Sequence, residues 1–419
     1  MLKYLFLLGV MGEWVFFLVL SLFNYSYAGS SESNIYILYW VIIFLLTFIV
    51  LIIYIFNYIK IGRFPKLFLS NILPVLLILI LYLISFSLFG FNENGNLYYA
   101  KIFVSMCIPT FFLGYLCSIQ NKENQLIDVI VKFVLFGTFI LTISLYRLIT
   151  ENTDVSSLDS IGGVGRLGIG YLAAHFFIVT FYIFLFYDDK KWNLYLPFFL
   201  KGKFKNLILF IMLTIQLSTV VFSGSRGPLL NLILVSLLII IMKIRQGNII
   251  AFVKMITSVF LIFLFIIFMF NNFAQNFFSL STERTLTLFQ LDEDSWAGGS
   301  GREKLYPLAL NMFSESPFLG SGPMGFLSES GANMHPHNII LEVMADYGLV
   351  GLLLIILFFS FIFKRYSQKA KINTSIFLVL FLFFSSLIEL QVSGTFMANA
   401  RLWFFIGLGM GFINIKEKI

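Results

Sequence analysis

The sequence holds three histidines in 419 residues, and two of them stand together at His335-Pro-His337-Asn338. An imidazole gains or loses a proton near neutral pH, so the pair suits general acid–base work. Asn338 suits the cap of a helix that starts there. Glu342 and Asp346 follow four and eight residues later. Both fall near one face of that helix, where a carboxylate would orient an imidazole or hold a substrate. A zinc site would need ligands beyond His-x-His. An uninvolved surface pair is the plain alternative.

Three arginines sit at places where an anion would bind. In Ser223-Gly-Ser-Arg226-Gly-Pro228, the proline suits the first turn of a helix. Arg226 would then lie beside free N–H groups and the positive end of the helix dipole, a phosphate-binding arrangement; an ordinary tight turn is the alternative. In Ser300-Gly-Arg302-Glu303, Ser and Glu have capping-box spacing. Leu305, Leu308, Ala309 and Met312 then recur at helical intervals, so a short amphipathic helix is expected, kinked at Pro307. Arg302 occupies its first turn, where the dipole disfavours a cation unless an anion is bound. Arg166 ends Gly162-Gly-Val-Gly-Arg166, with His175 nine residues on in an apolar run. His175 reads as a core residue. Gly320-Ser-Gly-Pro-Met-Gly325 matches a dinucleotide-binding string but follows no strand, and is read as a series of turns.

These residues must be held by membrane helices. Hydrophobic residues make up 59% of the chain and charged ones 12%, about half the charge of a soluble domain. That excludes a soluble enzyme, a disordered chain and a nucleic-acid binder. The apolar runs are continuous rather than alternating, so helices are expected and not a barrel. Twelve spans are predicted, at 3–24, 35–58, 67–90, 98–119, 126–149, 168–187, 206–222, 228–243, 249–271, 338–363, 374–391 and 400–414. The start is read as the first span, not as a cleaved signal peptide. Cys107 and Cys117 are expected to be free and buried, too far apart on one helix for a disulfide.

With the N-terminus in the cytoplasm, 18 Lys and Arg fall on inside segments and six outside: Arg166, Arg226, Arg284, Arg302, Lys304 and Arg401. The bias supports both termini inside. Five of the six outside cations are Arg, the residue suited to a phosphate or carboxylate fork. The chain is read as one integral membrane domain, 1–419, with one large outside loop, 272–337, carrying the amphipathic helix. Glu13 and Glu389 are the intramembrane carboxylates, each a functional residue or a helix–helix contact.

Taken in order, Gly165-Arg-Leu167, Ser225-Arg-Gly227, Gly301-Arg302, Pro317-Phe-Leu-Gly-Ser-Gly322, His337-Asn-Ile-Ile-Leu-Glu342 and Tyr347-Gly-Leu-Val-Gly351 resemble the O-antigen polymerase and O-antigen ligase family of bacterial membrane glycosyltransferases. The likeness covers about residues 160–365. The Ala-Ala-His175 stretch departs from the more polar family pattern.

The resemblance implies an all-α polytopic membrane protein of the GT-C type in the bacterial inner membrane, with its site facing the periplasm. It implies a donor linked to undecaprenyl pyrophosphate, inverting transfer, and no metal, cofactor or nucleic acid. A polymerase would pass the glycan to a lipid-linked repeat unit, with a chain-length regulator as a partner; a ligase would pass it to lipid A–core. The Phe-, Ile-, Asn- and Lys-rich composition leans towards the polymerase. A flippase or secondary transporter is the alternative of another class. In the enzyme reading Arg166, Arg226 and Arg302 clamp the pyrophosphate and His337 is the base. His335, Asn338 and Glu342 contact substrate. Trp296, Tyr306 and Trp403 are candidates to stack on sugars.

Overall fold

The structure is a computed structural model that describes residues 34–60, 83–89, 96–120, 123–150, 160–161, 164–186, 204–223, 225–245, 302–329, 335–370 and 376–411, with single positions at 15, 16, 18, 19, 76, 79 and 80. The regular secondary structure of the described residues is helical apart from a two-residue antiparallel ladder that pairs Ser160–Ile161 with Val164–Gly165. Among the described residues, six helices are long and apolar enough to cross a membrane, and the chain is a multi-pass membrane protein. The predicted spans 3–24 and 67–90 lie largely, and 249–271 wholly, outside the described residues. Glu13, Trp296 and Ser300 lie outside them too, as does most of the 272–337 loop before Arg302.

The chain divides into two compact units. The first comprises residues 1–10, 38–122 and 297–419. Its helices are α1 (Asn34–Lys60, from Leu38 onward), α2 (Asn96–Ile102), α3 (Ile108–Gln120), α8 (Arg302–Glu315), α9 (Gly325–Glu329), α10 (Ile339–Ala370), α11 (Ile376–Leu390) and α12 (Ala400–Gly411). A π turn, Phe103–Cys107, joins α2 to α3, so the predicted span 98–119 is one continuous helical path with a bulge in it. Cys107 and Cys117 are free and buried on that path.

The centre of this unit is the contact of α3 with α12. A Cβ on Gly407 would stand 2.0 Å from the Phe111 carbonyl oxygen, and one on Gly114 would stand 2.2 Å from that of Phe404. Small residues let the two backbones meet, which drives helix association in a bilayer where apolar burial alone gives little. Both cysteines, Phe404 and Phe405 are buried.

The predicted amphipathic helix is α8. Leu305, Ala309 and Met312 form its inner face and pack with Phe326 and Ala345. The helix continues across Pro307, which is exposed. The Gly320–Gly325 turns are explained by α10. Gly348 has φ 61° and ψ −156° and breaks that helix, a backbone region essentially reserved for glycine. The break frees carbonyl oxygens to pair elsewhere. Ser321 N donates to Ala345 O and Gly322 N to Asp346 O, both at 2.9 Å. The Asp346 carboxylate accepts from Met324 N at 3.1 Å and Phe326 N at 2.8 Å, capping α9. Asp346 therefore braces the turn series.

The second unit comprises residues 11–37 and 123–296. It contains α4 (Glu123–Thr150), α5 (Arg166–Phe186), α6 (Lys205–Phe222) and α7 (Arg226–Arg245). Helix α5 is apolar all round and buried among the other three. Gln216 of α6 donates from Nε2 to Thr138 Oγ1 at 2.7 Å and to Thr180 Oγ1 at 3.0 Å, tying α4, α5 and α6 together.

Candidate functional site

In the first unit, the sequence-predicted residues Arg302, His335, His337, Asn338 and Glu342 come together at one end of the helices. Their positioning starts with α10. Asn338 Oδ1 accepts from Ile340 N at 3.0 Å and from Leu341 N at 3.2 Å, so its carbonyl is committed to the helix cap. The residue before it, His337, has φ +55°. A left-handed backbone at a non-glycine residue costs about 1–3 kcal/mol and is retained where the surroundings enforce it. Here it turns the chain sharply between His335 and the helix.

Glu342 lies one turn into α10 and is fully buried. Its Oε1 accepts from the hydroxyl of Thr395 and stands 3.9 Å from His335 Nδ1. The edge of Tyr99 meets the His335 ring at a centroid distance of 4.7 Å and an interplanar angle of 86°. Arg302, in the first turn of α8, donates from Nη2 to the Val392 carbonyl at 2.5 Å. Thr395 and Val392 both belong to the loop 391–399 between α11 and α12. The loop's base is held by an ion pair from Arg401 Nη2 to Glu389 Oε1 at 2.6 Å. Glu389 thus ties α11 to α12, a helix–helix contact and one of its two predicted roles. Trp403 is buried, packs edge-on against Phe103 at 5.0 Å and donates to Phe396 O, so it serves the core rather than stacking on sugar. Tyr306 packs against the α8 core cluster.

Four atoms of this cluster are buried and have no hydrogen-bond partner among the described residues: Arg302 Nε, His335 Nε2, His337 Nδ1 and Glu342 Oε2. Leaving one such group unpaired costs about 1–3 kcal/mol. Their concentration in one place fits a polar ligand better than a packing role. Burial, and then the neighbouring His337, pull the His335 imidazole down to about 4. Burial, and then the Arg302 cation, hold His337 below its ordinary value. Both rings are therefore neutral at pH 7. A neutral ring can accept a proton, and the contact between His335 and Glu342 is not an ion pair.

The lowered His335 value has a consequence for stability. Unfolded His335 takes up a proton below about 6.5, and folded His335 only near 4. The folded state therefore binds fewer protons in this window. Its contribution is complete above about 6.5 and is lost as pH falls towards 4, by up to about 3 kcal/mol. His335→Gln should accordingly show a smaller drop in Tm between pH 7 and 4.5 than the wild type, measured by thermal unfolding in detergent.

Below the cluster, an apolar groove between α10 and α12 is lined by Val343, Tyr347, Gly351, Phe358, Phe396 and Trp403 among others. Val343 adjoins Glu342 and Phe396 adjoins Thr395, so the groove's upper end is the polar cluster.

In the second unit, Arg166 and Arg226 are the first residues of α5 and α7. Arg226 is exposed, and Pro228 lies in the first turn of α7, as predicted. A Cβ on Gly170 would stand 2.6 Å from Ser223 Oγ and 2.8 Å from Pro228 Cγ. The Gly-rich start of α5 therefore packs on the turn that opens α7, which brings the two helix N-termini to one end of this unit. His175 is buried in α5, with Nδ1 2.7 Å from the Tyr171 carbonyl oxygen. It is a core residue, as expected.

The loop 391–399 was not singled out from the sequence. Its only local signal is a Ser-Gly-Thr run between two apolar segments. Residues 207–356 match the family model described as O-antigen ligase. That stretch includes Arg226, Arg302, His335, His337, Asn338 and Glu342, and leaves out Arg166 and the 391–399 loop. No curated protein and no solved structure matches the chain.

Proposed function

We propose that this chain, which residues 207–356 assign to the O-antigen polymerase and ligase family of glycosyltransferase-like membrane enzymes, polymerises lipid-linked oligosaccharide repeat units. In this reading the donor is a glycan on undecaprenyl pyrophosphate, the acceptor is another lipid-linked unit, and the reaction takes place at the periplasmic face of the inner membrane. The observation that carries it is the cluster of Arg302, His335, His337 and Glu342, with four buried unpartnered polar atoms, at one end of a membrane unit.

The chemistry follows from the groups. The donor's anomeric carbon is activated by its diphosphate leaving group. The acceptor hydroxyl oxygen attacks that carbon on the face opposite the diphosphate. The bond to the leaving oxygen breaks, its electron pair stays on the diphosphate, and the anomeric configuration inverts. His337, neutral and beside a cation, takes the hydroxyl proton. Arg302, with one arm anchored on Val392 O, offers fixed positive charge where charge develops on the leaving group. Glu342 holds a sugar hydroxyl through Oε2, and the apolar groove beneath suits the polyprenyl chain. Arg166 and Arg226 head helices of the other unit, and their assignment to the diphosphate rests on the resemblance.

The ligase is the second reading, favoured by the description of the matched family. Reconstitution in vesicles separates the two. Supplied with purified lipid-linked repeat units alone, a polymerase builds a ladder of chain lengths. A ligase forms product only after lipid A–core is added. Movement of the lipid across the membrane with no new glycosidic bond would overturn both in favour of a flippase.

A further inference from the structure

The loop 391–399 touches both Arg302 and Glu342. Val392 O takes the Arg302 guanidinium, and three residues later Thr395 takes the Glu342 carboxylate. The contacts span 90 and 53 positions of sequence, respectively. The loop itself is rigidly held. Ser393 N and Val392 N donate to Glu389 O at 2.8 and 3.1 Å. Asn399 Oδ1 caps α12 through Leu402 N at 2.9 Å, and Cys107 Sγ donates to Met397 O at 3.2 Å.

The hydroxyl oxygen of Thr395 accepts from Met397 N at 3.2 Å. The hydroxyl donates its one proton to Glu342 Oε1. This fixes the carboxylate in the plane that keeps Oε1 towards His335 and leaves Oε2 unpartnered among the described residues.

We propose that Thr395 is a positioning residue for the transfer reaction, one that locks the Glu342 carboxylate in register with Arg302 and with the His335–His337 turn through the braced loop 391–399. The proposal rests on the glycosyl-transfer reading. Thr395 touches no reacting atom in it and acts through Glu342. Valine at this position keeps the shape and removes the proton donor; serine keeps the donor. A capping role alone, through Met397 N, would be indifferent to what occupies position 342.

Two measurements test it. In the reconstituted transfer assay, Thr395→Val should lower kcat by about 10–100-fold with KM for the donor within twofold, and Thr395→Ser should restore kcat to within about threefold. Adding Thr395→Val to Glu342→Gln should cost no further rate, because coupled residues are non-additive. Full additivity, or a Thr395→Val enzyme at wild-type kcat, overturns the proposal.

The second measurement needs no substrate. With three histidines in the chain, ¹⁵N-imidazole spectra of the full-length protein can be assigned. Thr395→Val should shift the His335 signals, and Thr395→Ser should leave them in place. Should Thr395→Val fail to accumulate, Thr395→Ala removes the same donor with less bulk and must shift the same signals. Unmoved His335 signals overturn the proposal. If the wild type transfers no glycan, the glycosyl-transfer reading fails, while the spectra still decide whether Thr395 governs Glu342.

Discussion

Replacing His337 by alanine is expected to lower kcat/KM for glycan transfer by about 10²–10⁴-fold, the usual worth of a general base, with the amount of protein in the membrane unchanged. The ring is half-buried, neutral at pH 7, and shares the cluster with the Arg302 cation. The backbone at this position is left-handed, so the alanine variant also carries conformational strain. His337→Gly removes the ring without that strain and should lose the same activity. A base must be unprotonated to act, so activity falls as pH drops through its value. With His337 held below the ordinary imidazole range by burial and by Arg302, the acid limb of wild-type kcat/KM should lie below about 6.5. Long glycan ladders retained in either variant in cells would count against His337 as the base.

Replacing Arg302 by glutamine should lower kcat by about 10²–10³-fold, the range measured for removal of one preorganised donor to a developing charge. Lysine should rescue little. One arm of the guanidinium is spent on Val392 O at 2.5 Å, while the Nε side is buried without a partner. A lysine ammonium lacks this fixed planar fork. The variant carries a second signature. Arg302 is the lesser of the two causes that depress His337. Without that cation the imidazole protonates more easily, so the acid limb of the residual activity moves to higher pH. It should remain below the ordinary imidazole value, because burial persists. A limb that stays in place would separate Arg302 from His337.

Much of this arrangement was legible in the sequence for one reason. In a chain with 12% charged residues, each His, Arg and Glu at a helix entrance stands out against an apolar background. The apolar runs located α1, the α2–α3 path, α4 to α7 and α10 to α12. Ser-x-x-Glu spacing and a helical apolar repeat located α8, and Asn338 announced its own cap. Other features left no local trace. Thr395 reaches Glu342 and Val392 reaches Arg302 across long stretches of chain, and no spacing rule encodes a contact between separate helices. The use of Asp346 was misread for a related reason. Spacing on α10 put it beside Glu342, but the break at Gly348 draws in the 321–326 turns, and their N–H groups take its carboxylate. The π turn at Phe103–Cys107 was hidden because an inserted residue in an all-apolar helix barely disturbs a hydropathy pattern.

The central claim is that the Arg302–His337–Glu342 cluster detaches a sugar from its lipid diphosphate by handing it to an acceptor hydroxyl. Its most direct test is a rapid-quench single turnover of a labelled lipid-linked oligosaccharide in vesicles, following the released polyprenyl diphosphate and the new glycosidic bond together. The account predicts that the two appear at one rate in the wild type, only when acceptor is present, and that His337→Ala and Arg302→Gln each slow both by more than about 100-fold. Release of polyprenyl diphosphate at the wild-type rate in both variants, or no release from the wild type with acceptor present, would contradict it.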